Sequence, residues 1–152
     1  MSEYTSKDVE FMWMAIEEGR KCTNVETAYN VGTVITDANG NVLATGHSRK
    51  YPGNTHAEQC ALIDLDKQKL VDGKNTILYT TMEPCSKRLS GNVPCVQSIL
   101  NRGIGTVFIG VKEPMNFVDC TGFEDLVNQG VKVVHIKELE DECRQLSVHL
   151  IK

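Results

Sequence analysis

The sequence predicts an α/β protein: a mixed, about five-stranded sheet with helices on both faces. Two observations predict it. A hairpin signal near residue 40 is followed by strands that alternate with helices, an order that builds parallel pairings and covers both sheet faces. The 152 residues also hold no internal repeat, low-complexity stretch or linker, so they suit one domain, 1–152, with one sizeable core.

The elements follow in order. "SKDVEFMWMAIEEGRKC" places Val9, Met12, Trp13 and Ile16 at helical spacing. Thr5 and Asp8 are spaced for a capping box, and Gly19 lies near the stop. On this pattern Trp13 belongs to the core and Phe11 to the helix surface; neither reads as a ring-stacking group. "VGTVITDANGNVLATGH" is a hairpin whose Asn39-Gly40 pair suits positive φ. "HAEQCALIDLDKQKL" is a second helix, and "NTILYTTM" a strand that stops at "EPC". "PCVQSILNRG" is a third helix, with Pro94 near its first turn and Gly103 after it. "GTVFIGV" is a short buried strand, "TGFEDLVNQG" a helix, "VKVVHI" the last strand and "KELEDECRQLSVHLIK" a closing helix.

Composition excludes several classes. The formal net charge of −4 argues against a general nucleic-acid binder. No apolar run is long enough to span a membrane, and the acidic N-terminus does not resemble a secretory signal, so a cytoplasmic protein is expected. Six cysteines stand at 22, 60, 85, 95, 120 and 143. A disulfide framework is not expected in a reducing compartment, and a domain of this size needs no staples. Cys60, inside an apolar helical pattern, reads as a small buried hydrophobe.

Two of the remaining cysteines lie in "TMEPCSKRLSGNVPC", and "NTHAEQCAL" supplies a histidine and a carboxylate. His56, Cys85 and Cys95 form a set suited to zinc, one ion per chain. Three protein ligands leave a fourth position open, the mark of a catalytic rather than a structural zinc. His47 is the nearest candidate for a fourth ligand, which would close the site. Residues two apart in an ideal helix point to nearly opposite sides. His56 and Glu58 therefore share a cavity only if His56 precedes regular helical geometry. Glu58 reads as a proton carrier rather than a ligand: a carboxylate beside the metal takes a proton from water and delivers it to substrate.

With these residues in place, the chain resembles the zinc-dependent deaminase superfamily, whose signature is H-x-E…P-C-x-x-C. The resemblance implies a three-layer α/β/α fold like that of cytidine deaminase, and hydrolytic release of an exocyclic amino group as ammonia. One departure is informative. Nine residues separate Cys85 from Cys95, where cytidine and tRNA-adenosine deaminases usually have two. That longer loop is similar to the riboflavin-pathway pyrimidine deaminases, and "EPCSKRLSGNVPC" especially to their fungal form, which acts on a diamino-ribitylamino-pyrimidinone phosphate. "NVGTVI", "GHSRKYPGNTHAE" and the region from "GVKEP" to "GVKVV" agree, so the likeness spans roughly residues 9 to 136. Asn30 matches the family's asparagine without the proline that usually follows. The bacterial enzymes continue into a reductase domain and some fungal ones carry an N-terminal pseudouridine-synthase-like domain; neither is expected here.

The resemblance implies a small pyrimidine phosphate as partner, no nucleic acid or membrane, and a homodimer. Its substrate contacts carry over to Asn30, His47, Ala57 and Ser86. Lys87 and Arg88, in the loop between the zinc cysteines, are natural neighbours of a phosphate. Arg49 and Lys50 form a second basic group. Thr81 and Glu83 either touch substrate or shape the turn before Cys85; His135 and His149 are ordinary strand and helix residues. Two alternatives stay open: a deaminase of another base, nucleoside or tRNA, and a non-catalytic zinc-binding homologue.

Overall fold

The computed structural model describes residues 3–26, 28–68, 73–86, 93–112 and 121–150. Helix α1 spans Ser6–Gly19. Its capping box forms as expected: the Thr5 N–H donates to the Asp8 carboxylate at 2.9 Å, and the Asp8 N–H donates to Thr5 Oγ1 at 3.3 Å. The buried face is Phe11, Met12, Ala15, Ile16 and Gly19, whereas Trp13 is 38% exposed. The sequence expectation for Trp13 and Phe11 is therefore reversed. Ala15 and Gly19 follow Phe11 at four-residue steps, and these small residues let the helix lie close to the sheet. A pattern built only on large apolar residues misses that stripe.

Strands β1 (Gly32–Thr36) and β2 (Val42–His47) form the hairpin. Of Asn39 and Gly40, only Gly40 has positive φ, at 85°. The Asp37 carboxylate organises the turn instead, accepting from the Asn39 and Asn41 N–H groups at 2.9 Å each. Helix α2 (Ala57–Asp66) lies on β2, and strand β3 (Ile77–Met82) pairs with the other side of β1. Helix α3 (Cys95–Asn101), β4 (Thr106–Val111), α4 (Gly122–Asn128), β5 (Lys132–His135) and α5 (Glu140–Gln145) complete the order.

The sheet order is β2-β1-β3-β4-β5. β1 is antiparallel to both neighbours, and β3, β4 and β5 are mutually parallel, so the sheet is mixed and five-stranded. Each face carries its own core. On one side Met12 and Ile16 of α1 meet Tyr79, Phe108 and Val134, with the Tyr79 and Phe108 rings stacked at 4.8 Å. On the other, Leu62, Leu65, Ile99 and Leu126 meet Ile35, Leu78 and Val107. The alternation Leu78, Tyr79 across β3 shows strand periodicity dividing one segment between two layers.

The closing segment departs from expectation. A 3₁₀ turn at Lys137–Leu139 precedes α5, which ends at Gln145 rather than running through the whole stretch. Ser147 explains the stop. It is fully buried, and its hydroxyl accepts from the Asn30 N–H at 2.8 Å, an alternative to continued helix. Among the described residues, none of Cys22, Cys60, Cys85, Cys95 and Cys143 is in a disulfide, and no helix is long and apolar enough to cross a membrane. Cys120 lies outside the described residues.

Candidate metal centre

Three segments converge at the ends of β3 and α2. His56 is the N-cap of α2, with extended backbone (φ −91°, ψ 157°), and Glu58 sits in the first turn. This break in helical geometry lets both side chains face the two cysteines, with His56 and Cys85 close enough to act on the Glu58 carboxylate. Glycine at 46 lets α2 approach β2: a Cβ there would stand 2.4 Å from the Ala57 carbonyl oxygen. Cys85 follows β3 through Glu83 and Pro84, and Cys95 opens α3.

Cys85 Sγ and Cys95 Sγ each lie 3.4 Å from His56 Nδ1. The three ligand atoms lie within 4.8 Å of one another. Tetrahedral zinc, with Zn–S of about 2.3 Å and Zn–N of about 2.0 Å, holds sulfur and nitrogen roughly 3.5 Å apart. The donor set fits the metal in both chemistry and spacing. Among the described residues this is the only such group, and His47 is not part of it. His47 Nδ1 instead stands 3.1 Å from the Ser48 carbonyl oxygen and 3.9 Å from Cys22 Sγ.

The site is electrostatically prepared. Hydrogen bonding with Cys95 is the largest influence on Cys85, and His56 adds to it. Together they outweigh burial and push the thiol down to about 4. The Cys95 N–H also donates to Cys85 Sγ at 3.2 Å. In metal-free protein, Cys85 therefore stays a thiolate well below the range of an ordinary thiol. Because its folded pKa is depressed, its contribution to stability is full above the unfolded value of 9.0 and is lost as pH falls toward about 4. Thiolate absorbance of the metal-free protein should persist at neutral pH, fade through the acid range and be missing in Cys85→Ser. Absorbance rising only near pH 9 would contradict the arrangement.

Glu58 is 4% exposed. Burial raises its pKa, and the Thr80 hydrogen bond and nearby His56 oppose that rise. The Thr80 hydroxyl reaches Glu58 Oε1 at 2.6 Å. Sequence reasoning missed Thr80. The available signal was a polar residue in register with Leu78 on the α2-facing side of a buried strand.

The other expected contacts are placed as follows. Asn30 is buried; its Nδ2 donates to Asn24 Oδ1 at 2.6 Å and to the Leu146 carbonyl at 3.0 Å, and its Oδ1 accepts from the Arg49 guanidinium. Ala57 is buried between His56 and Glu58. Ser86 Oγ accepts from the Thr121 N–H at 3.0 Å. Lys87 and Arg88 lie outside the described residues. Arg49, the only non-glycine with positive φ among the described residues, also donates to the Thr23 and Tyr29 carbonyls. Lys50 pairs with Asp64 at 2.8 Å. Thr81 accepts from the Gly32 N–H at 3.1 Å, tying β3 to the start of β1, and Glu83 accepts from the Phe123 N–H at 2.8 Å, tying the turn before Cys85 to α4. His135 Nε2 stands 3.0 Å from the Gly110 carbonyl oxygen, and His149 Nε2 2.9 Å from that of Val25.

Comparison with known proteins agrees with this geometry. Residues 5–111 match the family described as the cytidine and deoxycytidylate deaminase zinc-binding region. A Schizosaccharomyces pombe diaminohydroxyphosphoribosylamino-pyrimidine deaminase is 41% identical over 140 residues, covering 91% of this chain and 34% of that protein. The chain spans about a third of the length of the first curated relatives it matches. Among solved structures, a Thermotoga maritima diaminohydroxyphosphoribosylaminopyrimidine deaminase/5-amino-6-(5-phosphoribosylamino)uracil reductase superposes with a TM-score of 0.85 at 31% identity, over 96% of this chain and 40% of that one. The Aspergillus oryzae Rib2 deaminase in complex with DARIPP gives 0.81 at 27%, over 94% and 91%.

Proposed function

We propose, for a chain that belongs to the cytidine and deoxycytidylate deaminase zinc-binding family, hydrolytic deamination of a ribitylamino-pyrimidinone phosphate in riboflavin biosynthesis. The observation that carries the reaction type is a buried carboxylate, Glu58, beside a three-ligand His56, Cys85, Cys95 group. A pyrimidine phosphate is supported by the name of the S. pombe relative, which gives the phosphoribosylamino form, and by the A. oryzae complex; the choice of the ribityl form rests on the resemblance of the long inter-cysteine loop to the fungal enzymes.

The reaction exchanges a ring C–NH2 for C=O, consuming water and releasing ammonia. When bound, zinc supplies Lewis acidity that brings the pKa of water to about 7. His56, Cys85 and Cys95 hold it. Glu58 takes a proton from water and returns it to the departing amine, and its raised pKa suits a group that must both accept and give. Asn30, His47, Ala57 and Ser86 contact the substrate in this reading. Ammonia release is the test: the ribityl phosphate should turn over faster than its ribosyl counterpart, cytosine or a nucleoside. Preference for cytosine would move the assignment to a free-base deaminase, and no release from any of them would leave a zinc-binding homologue.

Lys87 and Arg88 are proposed to hold the phosphate. Charge-assisted hydrogen bonds contribute about 1.5–3 kcal/mol, or roughly ten- to 150-fold in binding. Neutralising either residue should raise KM for the phosphate ester by that order and leave a dephosphorylated analogue unaffected, with zinc retained. Equal losses on both compounds would mean that the loop acts through shape alone. The protein is further proposed to work in the cytoplasm as a homodimer. Light scattering at micromolar concentration should return twice the chain mass of 16.9 kDa, and a monomer there would overturn the dimer.

A further inference from the structure

We infer that Thr80 is a positioning residue for Glu58 and that Thr33 orients the Thr80 hydroxyl; the inference rests on Glu58 being the proton carrier. Thr33 of β1 and Thr80 of β3 are register partners, and both are fully buried. Their surroundings are apolar, with Ile35 and Leu78 in the same layer. Valine has the same shape and would pack there without the cost of desolvating a hydroxyl. The two hydroxyls instead form a directed chain. Thr33 donates to Thr80 Oγ1 at 3.2 Å, which leaves the Thr80 proton for an acceptor of its own. Two acceptors are in reach, Glu58 Oε1 at 2.6 Å and the Met82 carbonyl oxygen at 3.2 Å. The shorter contact falls within the range of a hydroxyl donating to a carboxylate.

The consequence is rotational. The terminal torsion of a glutamate is broad, with no staggered well to hold the carboxylate plane. A hydroxyl anchored in the sheet fixes Oε1 and so fixes the plane. Oε2 is then the oxygen left to exchange protons at the reacting centre. Misplacing a catalytic group by about 1 Å can cost on the order of a hundredfold in rate.

The experiment compares Thr80→Val, Thr80→Ser and Thr33→Val in zinc-loaded protein. Thr80→Val is expected to lower kcat by about ten- to a hundredfold with KM within about twofold of wild type and zinc content unchanged. Thr80→Ser should restore most of that loss. Thr33→Val should give a smaller fall, since Thr80 keeps its proton but loses its orientation. Unchanged kcat in Thr80→Val, or a serine variant as slow as valine, overturns the inference. The second readout needs no turnover. With 13C-carboxyl glutamate, the Glu58 resonance, identified by its absence in Glu58→Gln, should move in Thr80→Val and return in Thr80→Ser. A resonance unmoved by Thr80→Val overturns the inference by itself. Wild-type protein that releases no ammonia from any pyrimidine while the resonance still moves would sink the proposed function and leave the Thr80–Glu58 contact standing.

Discussion

Glu58→Gln should lose nearly all deamination while keeping zinc and fold. Glutamine has the same shape, and its amide oxygen can still accept from Thr80, so the packing around a 4% exposed side chain is preserved. What disappears is a group that gains and gives a proton. General acid–base assistance is worth about 100- to 10,000-fold. The same carboxylate serves both removal and delivery, so the loss belongs at the upper end. Burial already disfavours the charged carboxylate, so the neutral amide should leave the melting temperature unchanged or raise it. Ammonia release and zinc content, measured on one preparation, separate these effects. Near-normal turnover would reassign the proton carrier.

Alanine at His56, Cys85 or Cys95 should each abolish stable zinc binding. Apparent zinc free energies of about 10–16 kcal/mol in four-ligand peptides correspond to roughly 3 kcal/mol per ligand, a hundredfold or more in affinity for each one lost. Stability falls with it, since a ligand present at about a thousand times its Kd adds about 4 kcal/mol to the folded state. The three variants should differ once the metal is stripped. Cys85 Sγ accepts the first N–H of α3, so Cys85→Ala also removes a contact of the metal-free fold. Cys95→Ala keeps that N–H and its acceptor at position 85, so it should cost the metal-free fold less. Elemental analysis gives occupancy, and unfolding in chelator gives the metal-free difference. Full zinc in any variant would point to a different ligand set.

The zinc group and Glu58 were legible because their spacing survives folding: His56 and Glu58 are two apart, Cys85 follows a proline just after a strand, and Cys95 follows a proline at the start of a helix. The sheet was legible because hairpin and alternation are local signals. What stayed hidden depends on contacts distant in sequence. Phe11 is core only because Ala15 and Gly19 continue its stripe against Gly32, where a Cβ would stand 1.8 Å from the Ala15 carbonyl oxygen. Thr80 acquires its meaning from Thr33, 47 residues away. Ser147 stops the last helix by bonding to Asn30, 117 residues earlier. Periodicity sees none of these, because each is a pairing of one residue with a partner that the topology supplies.

The sheet order also bears on when the metal can be captured during synthesis. β2, β1 and β3 are neighbours in the sheet and all precede Cys95 in the chain, so two of the three ligands, His56 and Cys85, are synthesised before the third. Until then the growing polypeptide offers two ligands, and two hold zinc poorly. Tight capture waits for α3 to dock and bring in Cys95, 39 residues after His56. The three-ligand group is thus complete only once α2, the end of β3 and α3 have come together, so the site depends on the tertiary fold rather than on one local segment.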